Sequence, residues 1–161
     1  LPVMLAIQRL QMKVYGPNHK SKIFNQILLK KFNQPFQPIR TKFDWLSRDE
    51  SIVDKAMKDE LMSFDCTSSF YYSLTLGVKD IFKKENIAAI PKKIPVYIFS
   101  GDKDPAGLLG KGVTQLYSNW KAEGVHDIKF KLYPNGRHEM MNEINKEEVL
   151  NDLLLWIEKH L

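Results

Sequence analysis

The chain has 161 residues, of which 43% are hydrophobic and 27% are charged, and these proportions exclude a disordered or fibrous protein. The net charge of +5 is compatible with nucleic-acid binding, but the lysines come in scattered pairs with acidic residues between them. No nucleic-acid partner is therefore expected. The apolar stretches are too short and too broken by charge to span a bilayer. A single cysteine, Cys66, excludes an intrachain disulfide framework and favours a reducing, cytoplasmic location.

The first part of the chain, residues 1–88, contains helical patterns and turn signals but no convincing strand. The pattern predicts helices over residues 1–15, 21–31 and 68–84. Phe70, Leu74 and Ile81 are expected among the inward residues of the last helix. Ser47 and Glu50 form a capping-box pattern, which predicts the start of a further helix. We interpret this part as one helical region.

Residues 89–161 alternate between strand and helix patterns. The apolar run Val96–Phe99 predicts a strand buried on both faces, and Ile128–Leu132 predicts a half-buried strand. A helical pattern follows each of them. Strand, helix, strand, helix with short loops is typical of a parallel sheet covered by helices. Two strands are too few for such a sheet, so we expect the chain to contain the end of a larger α/β fold.

Two polar loops follow the predicted strands. The first contains Asp102 and Asp104, and the second contains His138. Reacting groups of open parallel sheets sit in loops at the carboxyl ends of strands. If the strands are neighbours, a carboxylate of the first loop can accept a hydrogen bond from the imidazole of the second. That pair is the acid–base half of a catalytic triad. Each residue alone is also compatible with a turn-forming Asp or a surface His.

The other polar residues suggest less. No recognisable metal-site spacing is found among Asp102, Asp104, His138, Glu139 and Glu143, so neither a metal nor a cofactor is expected. His19, His126 and His160 lie in charged or turn-rich contexts and are expected to be solvated. Cys66 has no plausible catalytic partner and is expected to serve packing.

The two loops and their strands resemble a known family. Residues 94–107, Ile-Pro-Val-Tyr-Ile-Phe-Ser-Gly-Asp-Lys-Asp-Pro-Ala-Gly, and residues 131–143, Lys-Leu-Tyr-Pro-Asn-Gly-Arg-His-Glu-Met-Met-Asn-Glu, carry the likeness. They resemble the C-terminal end of α/β-hydrolases of the monoacylglycerol lipase, lysophospholipase and serine aminopeptidase S33 type. The resemblance implies that Asp104, in a Gly-x-x-Asp loop, is the acid and that His138, in a Gly-x-His-Glu loop, is the base. Asp102 is the weaker candidate for the acid.

The likeness extends upstream. Residues 32–36 and 41–49 resemble the helical cap that these hydrolases insert before their late strands. The resemblance therefore implies a cap region at residues 1–88 and a hydrolase core portion at residues 89–161. An apolar acyl-chain pocket in the cap is expected to include aromatic side chains, which could equally serve as packing. These are Phe36, Phe43, Trp45, Phe70 and Tyr71.

One element of the family is missing from the sequence. The family places its nucleophile in Gly-x-Ser-x-Gly, ahead of the acid and the base, and every serine of this chain lacks those glycines. We therefore expect a fragment of a serine hydrolase that cleaves carboxylic esters, cut near the start of the cap and inactive by itself. A non-catalytic interaction module and an amide or peptide hydrolase remain the alternatives.

The same reasoning suggests partners. The substrate is expected to be a small lipid or ester. An unpaired strand edge would be covered by the missing N-terminal part of the hydrolase or by self-association, and peripheral contact with lipid surfaces is compatible with this substrate class.

Overall fold

A computed structural model describes residues 2–62 and 64–161, which form two compact units. The first unit contains the described residues up to Leu28 and Phe64–Ile90, and the second contains residues 29–62 and Pro91–Leu161. Residues 29–62 thus belong to the same unit as the C-terminal strands, which the division at residue 88 did not predict. The functional labels of cap and core remain predictions.

Seven α-helices and two strands make up the regular structure of the described residues. They are α1 (Pro2–Tyr15), α2 (Lys22–Asn33), α3 (Glu50–Lys58), α4 (Ser68–Ile81), α5 (Lys84–Ala88), β1 (Val96–Gly101), α6 (Lys111–Ala122), β2 (Ile128–Tyr133) and α7 (Lys146–Glu158), with a 3₁₀ helix at Met140–Asn142. The predicted helices and strands are present within a few residues of their predicted bounds. Within the described chain, none of the helices is long and apolar enough to cross a membrane.

In the first unit, α4 packs against α1 with a face that the sequence did not predict. The buried residues of α4 are Ser68, Tyr71 and Thr75. Thr75 accepts a hydrogen bond at 3.2 Å from Gln8 of α1, which is also buried. The prediction that Phe70, Leu74 and Ile81 point inward is wrong, because these side chains are exposed. Apolar residues lie on several sides of α4, and the contact with α1 decides which side is buried.

In the second unit, β1 and β2 are parallel neighbours in a two-stranded sheet. Their register pairs Val96 with Ile128 and Gly101 with Tyr133. This confirms the predicted partial α/β arrangement and brings both polar loops to one edge. Val96–Phe99 are half-buried in the described structure rather than buried on both faces. Asp152 of α7 accepts from the Tyr133 hydroxyl at 2.7 Å, which fastens α7 to β2.

Helix α3 begins differently from the prediction. Its N-cap is Asp49, whose carboxylate accepts from the Ser51 amide at 2.9 Å. The predicted capping box of Ser47 and Glu50 is therefore wrong. Ser47 lies ahead of the N-cap: its hydroxyl accepts from the Asp49 amide at 3.0 Å and donates to the Asn142 carbonyl at 2.9 Å, in the loop that follows β2. Ser47 therefore joins the residues before α3 to the loop after β2.

Candidate functional site

The loops that follow β1 and β2 place Asp104 and His138 side by side. His138 Nδ1 and Asp104 Oδ1 are 3.1 Å apart, within hydrogen-bond distance. With the proton on Nδ1, the imidazole donates to the carboxylate and leaves Nε2 as the basic nitrogen. The structure therefore contains the contact between the two loops that the sequence predicts.

Two glycines allow the loops to come this close. A Cβ atom built on Gly101 would collide with the backbone of Gly136 and Arg137, and one built on Gly136 would lie 3.1 Å from the Gly101 Cα. The Lys103 amide also donates to the Gly136 carbonyl at 2.9 Å. The two loops thus touch backbone to backbone, which side chains at residues 101 and 136 would prevent.

The two aspartates of the first loop have different partners. Asp104 is the buried one, with 9% of its side chain exposed, and it also accepts from the Ala106 amide at 2.9 Å. Asp102 accepts from the Asn135 amide at 2.7 Å. Asp102 therefore joins the two loops through the backbone, whereas Asp104 holds the imidazole.

His138 lies between Asp104 and an aromatic ring. Its ring centroid is 4.7 Å from that of Trp45, and 40% of its side chain is exposed. The hydrogen bond to Asp104 raises the pKa of His138 above its ordinary value, against the opposing effect of burial. Both residues line an open pocket of about 410 Å³, together with Ser100, Met140 and neighbouring side chains. A shielded acid and an accessible base are the arrangement that general base catalysis needs.

We expect Asp104→Asn to lower the pKa of His138 toward about 6.5, the ordinary value for histidine. Because folding raises this pKa, the ion pair stabilises the native state below about pH 6.5, and the stabilisation is lost as pH rises through the folded pKa. Imidazole NMR titration of both proteins measures the change, with the His138 resonance assigned from His138→Gln. An unchanged pKa in Asp104→Asn would contradict the assignment of the pair.

The predicted pocket aromatics occupy both units. In the second unit, Trp45 contacts His138, Phe36 lies under the Arg137 guanidinium at 4.2 Å, and Phe43 is buried in a core cluster. In the first unit, Phe70 and Tyr71 pack edge to face at 5.5 Å, with Phe70 exposed and Tyr71 buried. None of the five lines the pocket at His138, and their role in substrate binding remains a prediction.

The remaining candidates lie away from the pair. His160 was expected to be solvated, but its side chain is only 14% exposed and bonds to Asp127 at 2.8 Å. Cys66 is a half-buried free thiol in the first unit. Among the described residues, no three His, Cys, Asp or Glu side chains are grouped as metal ligands.

Sequence reasoning missed the residues that hold the second loop. Glu143 is fully buried and accepts from Arg48 and from the Arg137 amide, while the Arg137 guanidinium donates to the carbonyls of Asp44 and Ser47. Burial lowers the pKa of Arg137. Glu143 belongs to the motif of residues 131–143 that carries the family likeness, but the local pattern does not indicate that its carboxylate is buried or which donors it binds.

Comparisons with known proteins identify the family and the fold. A family model described as serine aminopeptidase, S33, matches residues 6–145. A carboxyl esterase from Bacillus coagulans, solved in complex with glycerol, is similar with 25% identity and a TM-score of 0.85, over 98% of this chain and 52% of the esterase. A lipase in its open form is similar with 23% identity and a TM-score of 0.78, over 99% of this chain and 51% of the lipase.

A third similar structure is a soluble variant of monoglyceride lipase from Saccharomyces cerevisiae in complex with a substrate analog. It shows 23% identity and a TM-score of 0.61, over 94% of this chain and 51% of the lipase chain. A search of curated protein sequences found no significant match. The chain spans about half the length of the solved structures that it matches. Since the family model covers most of the sequence, the chain belongs to the serine aminopeptidase S33 family of α/β-hydrolases.

Proposed function

We propose that this chain is part of a serine hydrolase that cleaves carboxylic esters of lipids, such as lysophospholipids or monoacylglycerols. The observation that carries the proposal is the 3.1 Å contact between His138 Nδ1 and Asp104 Oδ1, on loops that follow two neighbouring parallel strands. The family and the similar esterase and lipases support a hydrolase.

In this mechanism, His138 Nε2 removes the proton from a serine hydroxyl as the serine oxygen attacks the ester carbonyl. The imidazolium that forms is stabilised by Asp104, which also keeps the proton of the neutral ring on Nδ1. His138 then gives its proton to the leaving alcohol, and a water molecule, activated by the same base, hydrolyses the acyl-enzyme. Asp104 accepts hydrogen bonds throughout and is not itself protonated.

The serine of this mechanism is proposed to lie outside the 161 residues. Ser100 lines the same pocket as His138, but its hydroxyl donates to the Gly101 carbonyl, and it lacks the Gly-x-Ser-x-Gly turn. Among the described residues, no hydroxyl is hydrogen-bonded to the His138 ring. We therefore propose that this chain by itself does not turn over esters, because triad members act as a unit.

The test is an assay of the protein extended by the coding sequence upstream of Leu1. We expect the extended protein to hydrolyse p-nitrophenyl esters, monoacylglycerol and lysophosphatidylcholine. We expect the 161-residue chain to hydrolyse these esters no faster than its own His138→Ala variant does. If the 161-residue chain hydrolyses esters and His138→Ala abolishes this activity, the chain contains its own nucleophile. An extended protein without esterase activity would refute the proposed function.

Amide hydrolysis is the second candidate, because the matching family model is described as an aminopeptidase. The same acid and base serve both reactions, and only the leaving group differs. Aminoacyl p-nitroanilides, assayed beside the esters, separate the two. A higher kcat/KM for the anilides than for the esters would indicate that the substrate is a peptide and not a lipid ester.

We further propose that the second unit is covered by the rest of the hydrolase fold or, without it, by another copy of the chain. Leu150, Leu154 and Leu155 of α7 are 41%, 53% and 64% exposed, and the similar structures are about twice as long. Analytical ultracentrifugation of the 161-residue chain is expected to show association that increases with concentration. A compact monomer at high concentration would contradict this.

A cytoplasmic location is also proposed, on the basis of the single free Cys66. Fractionation of cells expressing the tagged protein tests it. Recovery in a secreted fraction would overturn it, and recovery with membranes would indicate the contact with lipid surfaces that a lipid substrate favours.

A further inference from the structure

A buried carboxylate outside the acid–base pair lies on the loop of His138. Glu143 has no exposed surface and accepts four hydrogen bonds. Its Oε1 accepts from the amides of Arg48 at 3.1 Å and Arg137 at 2.9 Å. Its Oε2 accepts from Arg48 Nε at 2.9 Å and from the Ile144 amide at 3.0 Å. All four donors are thus satisfied by one side chain, which the proposed reaction does not use.

These bonds fasten the loop of His138 to the segment formed by residues 44–48. Next to Glu143, the Glu139 amide donates to the Leu46 carbonyl at 2.8 Å, and the His138 amide lies 3.4 Å from the Trp45 carbonyl. The backbone is therefore held at residue 137 by Glu143 and at residue 139 by Leu46. His138 lies between these two fixed points.

The same segment supports the imidazole itself. Trp45 packs on the ring of His138 on one side, and Asp104 holds Nδ1. We propose that Glu143 is the positioning residue of the catalytic base: it fixes segment 44–48 to the histidine loop and thereby sets the orientation of His138 toward Asp104. This inference rests on the proposed function. It adds a residue that contacts neither substrate nor base.

The chemistry of the site requires a carboxylate. A glutamine at residue 143 has one acceptor oxygen, which can serve either the two amides at Oε1 or the pair at Oε2. Its NH₂ group would face N–H donors at the other position. A buried donor without an acceptor is unfavourable, so the loop must shift to relieve it.

The experiment is an NMR titration of His138 in the 161-residue chain and in Glu143→Gln. The charged groups that raise its pKa are Asp104 across the loops and Glu139 beside it. We expect the pKa of His138 to fall in Glu143→Gln although neither of these groups is changed. Asp152→Asn is the matched control, because Asp152 accepts from Lys131 and Tyr133 in the same unit, and we expect it to keep the pKa of His138.

A pKa of His138 that is the same in Glu143→Gln and in the unchanged chain overturns the proposal, whatever the loss of stability. An equal fall in Asp152→Asn also overturns it, because the effect would then be a general loss of structure. If Glu143→Gln does not fold, Arg48→Gln decides, since it keeps the Arg48 amide bond to Glu143 and removes the Nε bond to Glu143 together with the Nη2 bond to Asn145. Its His138 pKa is expected to fall, and an unchanged value counts against the proposal.

The active extended protein gives a second readout. Misplacement of a catalytic group by a fraction of an ångström lowers kcat, so Glu143→Gln is expected to lose about 10- to 100-fold in kcat with KM within about twofold. A rise in KM alone would assign Glu143 to substrate binding and overturn the positioning role. The titration does not require turnover. Absence of esterase activity would therefore refute the proposed function, while the pKa of His138 would still test the role of Glu143.

Discussion

Gly101→Ala is expected to lower the free energy of unfolding by about 3 kcal/mol or more and to separate the two loops. The added Cβ would meet the carbonyl group of Gly136 and the carbonyl of Arg137, and these are backbone atoms that cannot rotate away. Because Asp104 and His138 follow these glycines by three and two residues, the imidazole should also lose its partner. Urea unfolding followed by circular dichroism measures the first effect, and the pKa of His138 measures the second.

The matched control is Gly77→Ala, in α4. A Cβ built on Gly77 has nothing within 4 Å, and its backbone is helical. Alanine is therefore expected to stabilise the helix by about 0.5–1 kcal/mol. The explanation is wrong if the free energy of unfolding of Gly101→Ala is within about 0.5 kcal/mol of that of the unchanged chain and the pKa of His138 stays raised. The close approach of the loops would then not be what brings Asp104 and His138 together.

The second large effect concerns catalysis by the extended protein. His138→Ala is expected to reduce kcat for p-nitrophenyl esters by about 10⁶-fold, and Asp104→Asn by about 10⁴-fold. The first variant removes the base, and the second leaves the imidazole without the carboxylate that stabilises its charged form. Stopped-flow or steady-state assays at fixed pH measure both losses.

Asp102→Asn is the control for this experiment. Asp102 lies two residues from Asp104, but its carboxylate accepts from the Asn135 amide rather than from the imidazole. We expect its kcat to stay within about tenfold of the unchanged protein, since an amide oxygen still accepts that bond. If kcat falls as far in Asp102→Asn as in Asp104→Asn, the assignment of Asp104 as the acid is wrong.

The sequence predicted the strands and the loops that carry the candidate pair. An apolar run such as Val96–Phe99, followed by a polar loop, has few other structural interpretations, and parallel strands bring their carboxyl ends to one edge. The choice of Asp104 over Asp102 came from the family resemblance, and the hydrogen bond to His138 agrees with it. Local patterns were therefore sufficient for the strands and their loops, whereas the choice between the two aspartates needed the resemblance.

Local patterns failed where tertiary contacts decide. Ser47 matches a capping box, yet its hydroxyl donates to Asn142, 95 residues away. Thr75 of α4 is buried against α1, where it accepts from Gln8, while the apolar Leu74 beside it is exposed. Residues 29–62 group with the C-terminal part of the chain, and the bonds of Glu143 to Arg48 and Arg137 are among those that join them. A single buried acid has no periodic pattern that a sequence can display.

The claim that Asp104 and His138 belong to a serine hydrolase is tested most directly by labelling the extended protein with a fluorophosphonate and locating the adduct by mass spectrometry. This reagent phosphonylates a serine that a neighbouring base activates. We expect one adduct, on a Gly-x-Ser-x-Gly serine upstream of residue 1, formed much more slowly in His138→Ala. An adduct within residues 1–161, or labelling that His138→Ala does not slow, would contradict the account.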